Sequence, residues 1–144
     1  MNSEDGENYA YHVAYHPIEI FAPYSKEELT EKIKEGINSW NLYPVYETFT
    51  GKNTFEEKCY KIKGFRNAVL GKRFIELGWD EISGKEVNIS WPLKRGYGYY
   101  SIKVVKLSDD AEYLDFANTV IDLINLDLTK ESTFKRYKKL LLLE

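Results

Sequence analysis

Residues 74–92, FIELGWDEISGKEVNISWP, decide how the chain is read. Ile75, Leu77 and Trp79 occupy every second position, and so do Val87, Ile89 and Trp91. A period of two puts each trio on one side of an extended strand. Between the runs stands Ser83-Gly84-Lys85, with glycine to supply the positive φ of a tight turn. The stretch is therefore expected to be a β-hairpin, stabilised by tryptophan and β-branched side chains facing each other across the strands. Pro92 has no N–H to donate and ends the second strand.

Outward from the hairpin, Tyr99–Leu107 reads as another strand, and residues 55–73 as earlier strands of the same meander, with Tyr60 and Ile62 alternating with lysines. Asp109 and Glu112 then open a helix. At ~100° per residue, Leu114, Phe116, Ala117, Val120, Ile121, Leu123 and Ile124 fill about half of its circumference, opposite Asp115, Asn118, Thr119 and Asp122. So wide an apolar arc predicts that this helix lies across the sheet. Thr129 is expected to cap a final helix carrying Phe134, Tyr137 and Leu141.

Toward the N-terminus, Ser25 and Glu28 form a capping box, Tyr24 and Leu29 a hydrophobic staple, and Leu29, Ile33, Ile37 and Trp40 one apolar helix face. Pro44 and the polar turn of residues 50–54 bracket a short strand. Residues 9–15 alternate like a strand up to Pro17, and residues 1–8 read as a disordered lead-in. The expected fold is a single α+β domain over residues 9–144. Its antiparallel sheet has about five strands, with an N-terminal helix and two C-terminal helices packed mainly on one face.

With 144 residues the chain can bury a core without disulfides, and Cys59 is its only cysteine. The acidic start Glu4-Asp5-Gly6-Glu7 is unlike a signal peptide, and the longest aliphatic run is residues 140–143. A cytoplasmic location without membrane contact is the expectation. The net charge is −3, but it is arranged in blocks. Residues 58–73 carry Lys58, Lys61, Lys63, Arg66, Lys72 and Arg73 and no acid. Residues 108–128 carry Asp109, Asp110, Glu112, Asp115, Asp122 and Asp127 and no base. Lys130, Lys135, Arg136, Lys138 and Lys139 follow. Such blocks predict polarised faces unless the fold juxtaposes them.

Catalytic chemistry finds no support in the residues. His12 and His16 on a strand stand ~13 Å apart, too far to share a metal ion. Cys59 lies among lysines, which favour its thiolate, but no base is placed beside it. The pairs Glu56-Glu57, Asp80-Glu81 and Asp109-Asp110 are sequence neighbours, which point opposite ways on a strand and make no acid–base dyad. No P-loop, G-x-S-x-G or dinucleotide fingerprint occurs. The chain is read as a binding protein with no cofactor and no metal, not as an enzyme.

Two surfaces are candidates for the partner. One combines Lys94, Arg95, Tyr97, Tyr99 and Tyr100, because tyrosine and arginine anchor protein interfaces. Its core, Arg95-Gly96-Tyr97-Gly98-Tyr99, matches the opening of the RNP1 motif of RNA-recognition domains. The match departs at Tyr100 and Ile102, and the βαββαβ order of that family is not the order here. The other candidate is the acidic stripe of Glu112, Asp115 and Asp122, of the kind nuclease inhibitors use to imitate phosphate. The functional expectation is a small protein-binding inhibitor, such as a bacterial immunity protein or antitoxin that occludes a toxin, for instance a nuclease. The alternative is a nucleic-acid-binding module using the basic, Tyr-rich sheet face.

Overall fold

The computed structural model describes residues 12–14, 23–39, 46–48, 54–80, 82 and 84–143. In chain order the elements are β1 (His12–Ala14), α1 (Lys26–Ser39), β2 (Tyr46–Thr48), α2 (Phe55–Tyr60), α3 (Phe65–Val69), β3 (Phe74–Asp80), β4 (Gly84–Pro92), β5 (Tyr99–Leu107), α4 (Tyr113–Ile124) and α5 (Ser132–Tyr137). The expectations for the lead-in 1–8, His16, Trp40, Pro44, Glu81 and Ser83 lie outside the described residues.

The hairpin forms as its sequence dictates. β3 and β4 pair antiparallel with Ile75 opposite Ile89 and Leu77 opposite Val87, and Asp80 and Gly84 close the ladder. Gly84 sits at φ +73°, a conformation that a residue with a Cβ rarely adopts. Trp79 faces Lys85, whose ammonium lies 4.1 Å from the indole centroid. β5 pairs with the other edge of β4, giving the order β3-β4-β5. The register shifts between Ile89 and Ser90, so β5 changes phase there: Lys103 pairs with Ile89, yet Ile102 is buried as well.

Two expectations about the sheet are corrected. The described strands do not form one five-stranded sheet: β1 and β2 make a separate two-stranded ladder. Residues 55–60 and 65–69 are helical, not strands. Thr54 accepts a hydrogen bond from the Glu57 N–H at 3.3 Å, and the Glu57 carboxylate accepts from the Thr54 N–H at 2.9 Å. This capping box outweighs the weak alternation of Tyr60 and Ile62. Lys61 ends α2 at φ +57°, and the Gly64 N–H donates to the same Glu57 carboxylate at 2.8 Å, which ties α3 to α2.

The other helices follow their caps. Ser25 and Glu28 make both bonds of the expected box ahead of α1. α4 starts one turn later than Asp109: Glu112 is its N-cap, and the Glu112 N–H donates to Asp115 Oδ2 at 2.8 Å. Thr129 does not cap a helix. It sits in a 3-10 turn (Leu128–Lys130) capped by Asp127, and α5 begins at Ser132.

One core joins these elements. Val87, Ile89, Trp91 and Ile102 from the sheet meet Phe116, Ala117, Val120 and Leu123 of α4, Leu29 and Ile33 of α1, Phe134 of α5 and Leu141. α4 packs on β4 and β5, and α1 packs against α4. Each of the larger aliphatic and phenylalanine side chains contributes roughly 1.5–3 kcal/mol through removal from water. On the opposite side of β4, Pro92 is buried beside Tyr99, which stacks on Phe74 at 4.6 Å and meets Phe65 of α3 edge-on at 6.1 Å. Strand alternation puts these rings on the face away from α4.

A cationic cleft at the end of the sheet

β4 and β5 are joined through residues 93–98, and this turn is held from both sides. The Leu93 N–H donates to the Gly98 carbonyl at 3.0 Å, and Gly96 takes φ +79°, turning the chain between Arg95 and Tyr97. The C-terminal segment runs alongside. Leu93 bridges Leu141, the Lys94 N–H donates to the Leu140 carbonyl at 2.8 Å, and the Leu142 N–H donates to the Pro92 carbonyl at 2.9 Å. The Trp91 indole N–H adds a bond to the Leu142 carbonyl at 2.8 Å. The two backbone bonds that make this bridge and one indole bond thus fix where residues 140–142 lie.

The same region is braced by α5. Lys103 of β5 pairs with Glu131 at 3.2 Å, Trp91 meets Phe134 at 4.6 Å, and Tyr100 meets Tyr137 at 4.8 Å. The Tyr100 phenol is raised above its ordinary value, first by burial, then by its hydrogen bond with Tyr137, with Arg136 pulling the other way.

What results is a cleft of about 350 Å³ lined by Leu93, Lys94, Arg95, Tyr100, Lys139 and Leu140. Its floor is apolar and its rim carries two lysines and an arginine, with no carboxylate among the described lining residues. Among the described residues none of these three cations enters an ion pair. Arg66 approaches from α3, its Nε–H donating to the Lys94 carbonyl at 2.6 Å. A second cavity, about 270 Å³, is lined by Arg73, Trp91, Leu123 and Asp127 among others. There the guanidinium stacks 3.3 Å above Trp91, and Asp127 is bonded to Thr129. Its charges are of both signs; those of the first cleft are of one.

The residues singled out from the sequence separate into groups. Lys94, Arg95 and Tyr100 come together in the cleft. Tyr97 lies on the turn, 47% exposed, edge-on to Phe65 at 5.4 Å. Tyr99 is turned inward, where its hydroxyl donates to Glu56 Oε2 at 2.6 Å. Glu112 and Asp115 are joined by the α4 cap, and Asp122 is exposed further along that helix. Lys139 and Leu140 complete the cleft from a distant stretch of chain, and Arg66 adjoins it. In sequence Lys139 and Arg66 belong to separate basic blocks and Leu140 to the aliphatic run; the pairing of Leu93 with Leu141 brings residues 139 and 140 in, and the bond to the Lys94 carbonyl brings Arg66.

No set of three or more His, Cys, Asp or Glu residues suited to a metal ion exists among the described residues. Among them, too, no helix is long and apolar enough to cross a membrane. No protein-family model matches the chain, and no curated protein or solved structure is significantly similar to it.

Proposed function

We propose that this chain is a non-catalytic protein-binding inhibitor, one that neutralises a partner by covering it as an immunity protein or antitoxin covers a toxin. The observation that carries the reading is the cleft: cations from two distant stretches of chain converge on an apolar floor, unopposed by a lining carboxylate. Aligned positive charge speeds capture of an acidic partner, and an apolar floor gives the contact persistence. The acidic stripe of α4 is the weaker surface, because two of its three carboxyl residues already join in a helix cap.

Nucleic-acid binding is the second reading, and the same cations favour it together with the exposed ring of Tyr97. Single-stranded nucleic acid needs free aromatic faces in series. Tyr99 and Tyr100 engage Phe74 and Tyr137 instead, which favours a protein partner. The test is purification of the tagged chain from its own host. A stoichiometric protein partner, lost with Lys94→Glu/Arg95→Glu and inhibited by the chain in its own activity assay, is the expected result. Recovery of bulk RNA alone would overturn the reading.

A further inference from the structure

The cleft's dimensions and chemistry narrow what enters it, and the step rests on the protein-binding reading just given. We infer that it receives an extended acidic segment of the partner, in which an apolar side chain seats between neighbouring carboxylates. The apolar residue packs on Leu93, Leu140 and the ring of Tyr100, while Lys94, Arg95 and Lys139 meet the carboxylates from the rim.

Three features support this occupant. A cavity of about 350 Å³ has room for one or two side chains, not for a folded element. Its charged groups are all cationic, and two of them, Lys94 and Arg95, are consecutive residues on a turn fixed by backbone bonds to the Gly98 and Leu140 carbonyls. The backbone that carries them is thereby held in place, so less conformational freedom is lost when the segment binds. The arginine also offers the planar fork that matches a carboxylate in bidentate fashion. An extended chain presents every second side chain to one edge, so acid, apolar and acid residues spaced two apart face such a site together. Lys94, Arg95 and Lys139 are all exposed, so altering them leaves the core intact.

Fluorescence anisotropy of the full chain tests the inference with four labelled probes. They are a short peptide in which every second residue is in turn Glu, Leu and Glu with Ser between them, the same peptide with Gly for Leu, the same with Lys for Glu, and an oligouridine. The Glu–Leu peptide is expected to bind saturably and to weaken with salt. The Glu–Gly peptide should bind at least tenfold more weakly, and the Lys–Leu peptide not at all. In the variant Lys94→Glu/Arg95→Glu/Lys139→Glu, whose circular dichroism should match the parent's, affinity for the Glu–Leu peptide should fall roughly 30-fold, about threefold per reversed charge at ~6 Å after screening. Binding of the oligouridine in preference to the Glu–Leu peptide would overturn the inference in favour of nucleic acid. Equal affinity for the Glu–Leu and Glu–Gly peptides would overturn the apolar anchor. If no peptide binds while a host protein is still captured stoichiometrically, this inference fails and the protein-binding reading stands.

Discussion

Tyr99→Phe removes one hydroxyl, and the structure says where the loss is felt. Glu56 is 7% exposed, its Oε1 has no hydrogen-bond partner among the described residues, and Oε2 accepts from the Tyr99 hydroxyl at 2.6 Å. The phenylalanine ring keeps the stack on Phe74 and the edge contact with Phe65. What disappears is the one hydrogen-bond donor to this buried carboxyl group among the described residues, a loss of roughly 1–3 kcal/mol. Taking about 2 kcal/mol, the thermal midpoint should fall by roughly 4–8 °C in a chain of this length. The double variant Tyr99→Phe/Glu56→Leu should regain most of that, because replacing both partners by apolar groups leaves no unmet polar atom. Urea denaturation of the parent, both single variants and the double variant gives the coupling energy, expected at about 1–2 kcal/mol. A Tyr99→Phe protein as stable as the parent, or a coupling near zero, would refute the reasoning. The same variant should bind its partner unchanged, since this hydroxyl faces inward.

Three further outcomes follow from the packing and the caps. Phe116 is fully buried and stacks on Trp79 at 5.3 Å, so Phe116→Ala should destabilise by about 3–5 kcal/mol in urea melts, with an open cavity beneath α4. The Glu57 carboxyl is held below its ordinary value of 4.5, first by the Thr54 N–H, then by the Gly64 N–H and the Thr54 hydroxyl. A lowered folded-state value means that its stabilisation is complete above the unfolded value and disappears as pH falls through the folded one. The parent should therefore exceed Glu57→Gln in thermal midpoint at neutral pH, and the gap should close below pH 4.5. Gly96→Ala introduces a Cβ at φ +79° with open space around it, so its cost is backbone strain of about 1 kcal/mol, read as a lower midpoint with no loss of secondary structure.

The parts of the fold legible in the sequence are those fixed by short-range pattern. The alternation of Ile75, Leu77 and Trp79 against Val87, Ile89 and Trp91 specified the hairpin, and the apolar arc from Phe116 to Leu123 specified α4 as the helix on the sheet. The alternation of Tyr60 and Ile62 resembles a strand, but the deciding signal is local: Thr54 followed three residues later by Glu57 caps a helix. Cap positions also slipped by a few residues: Asp109 and Thr129 are good capping residues, but Glu112 and Glu131 hold the N-cap positions of α4 and α5. Composition cannot tell an inward tyrosine such as Tyr99 from an outward one. The cleft was half visible. Lys94, Arg95 and Tyr100 are near neighbours in sequence, but Lys139 and Leu140 reach them only through the bridge between Leu93 and Leu141, a pairing no local pattern announces.

The most direct test of the binding account is titration calorimetry of the parent chain and two variants against the protein partner recovered from the host. The variants are Lys94→Glu/Arg95→Glu/Lys139→Glu and Asp122→Lys. The account predicts one-to-one binding by the parent, affinity roughly 30-fold weaker when the cleft is reversed, and no more than a twofold change for Asp122→Lys. Full affinity in the cleft variant, with binding lost on altering Asp122, would contradict it and move the interface to α4.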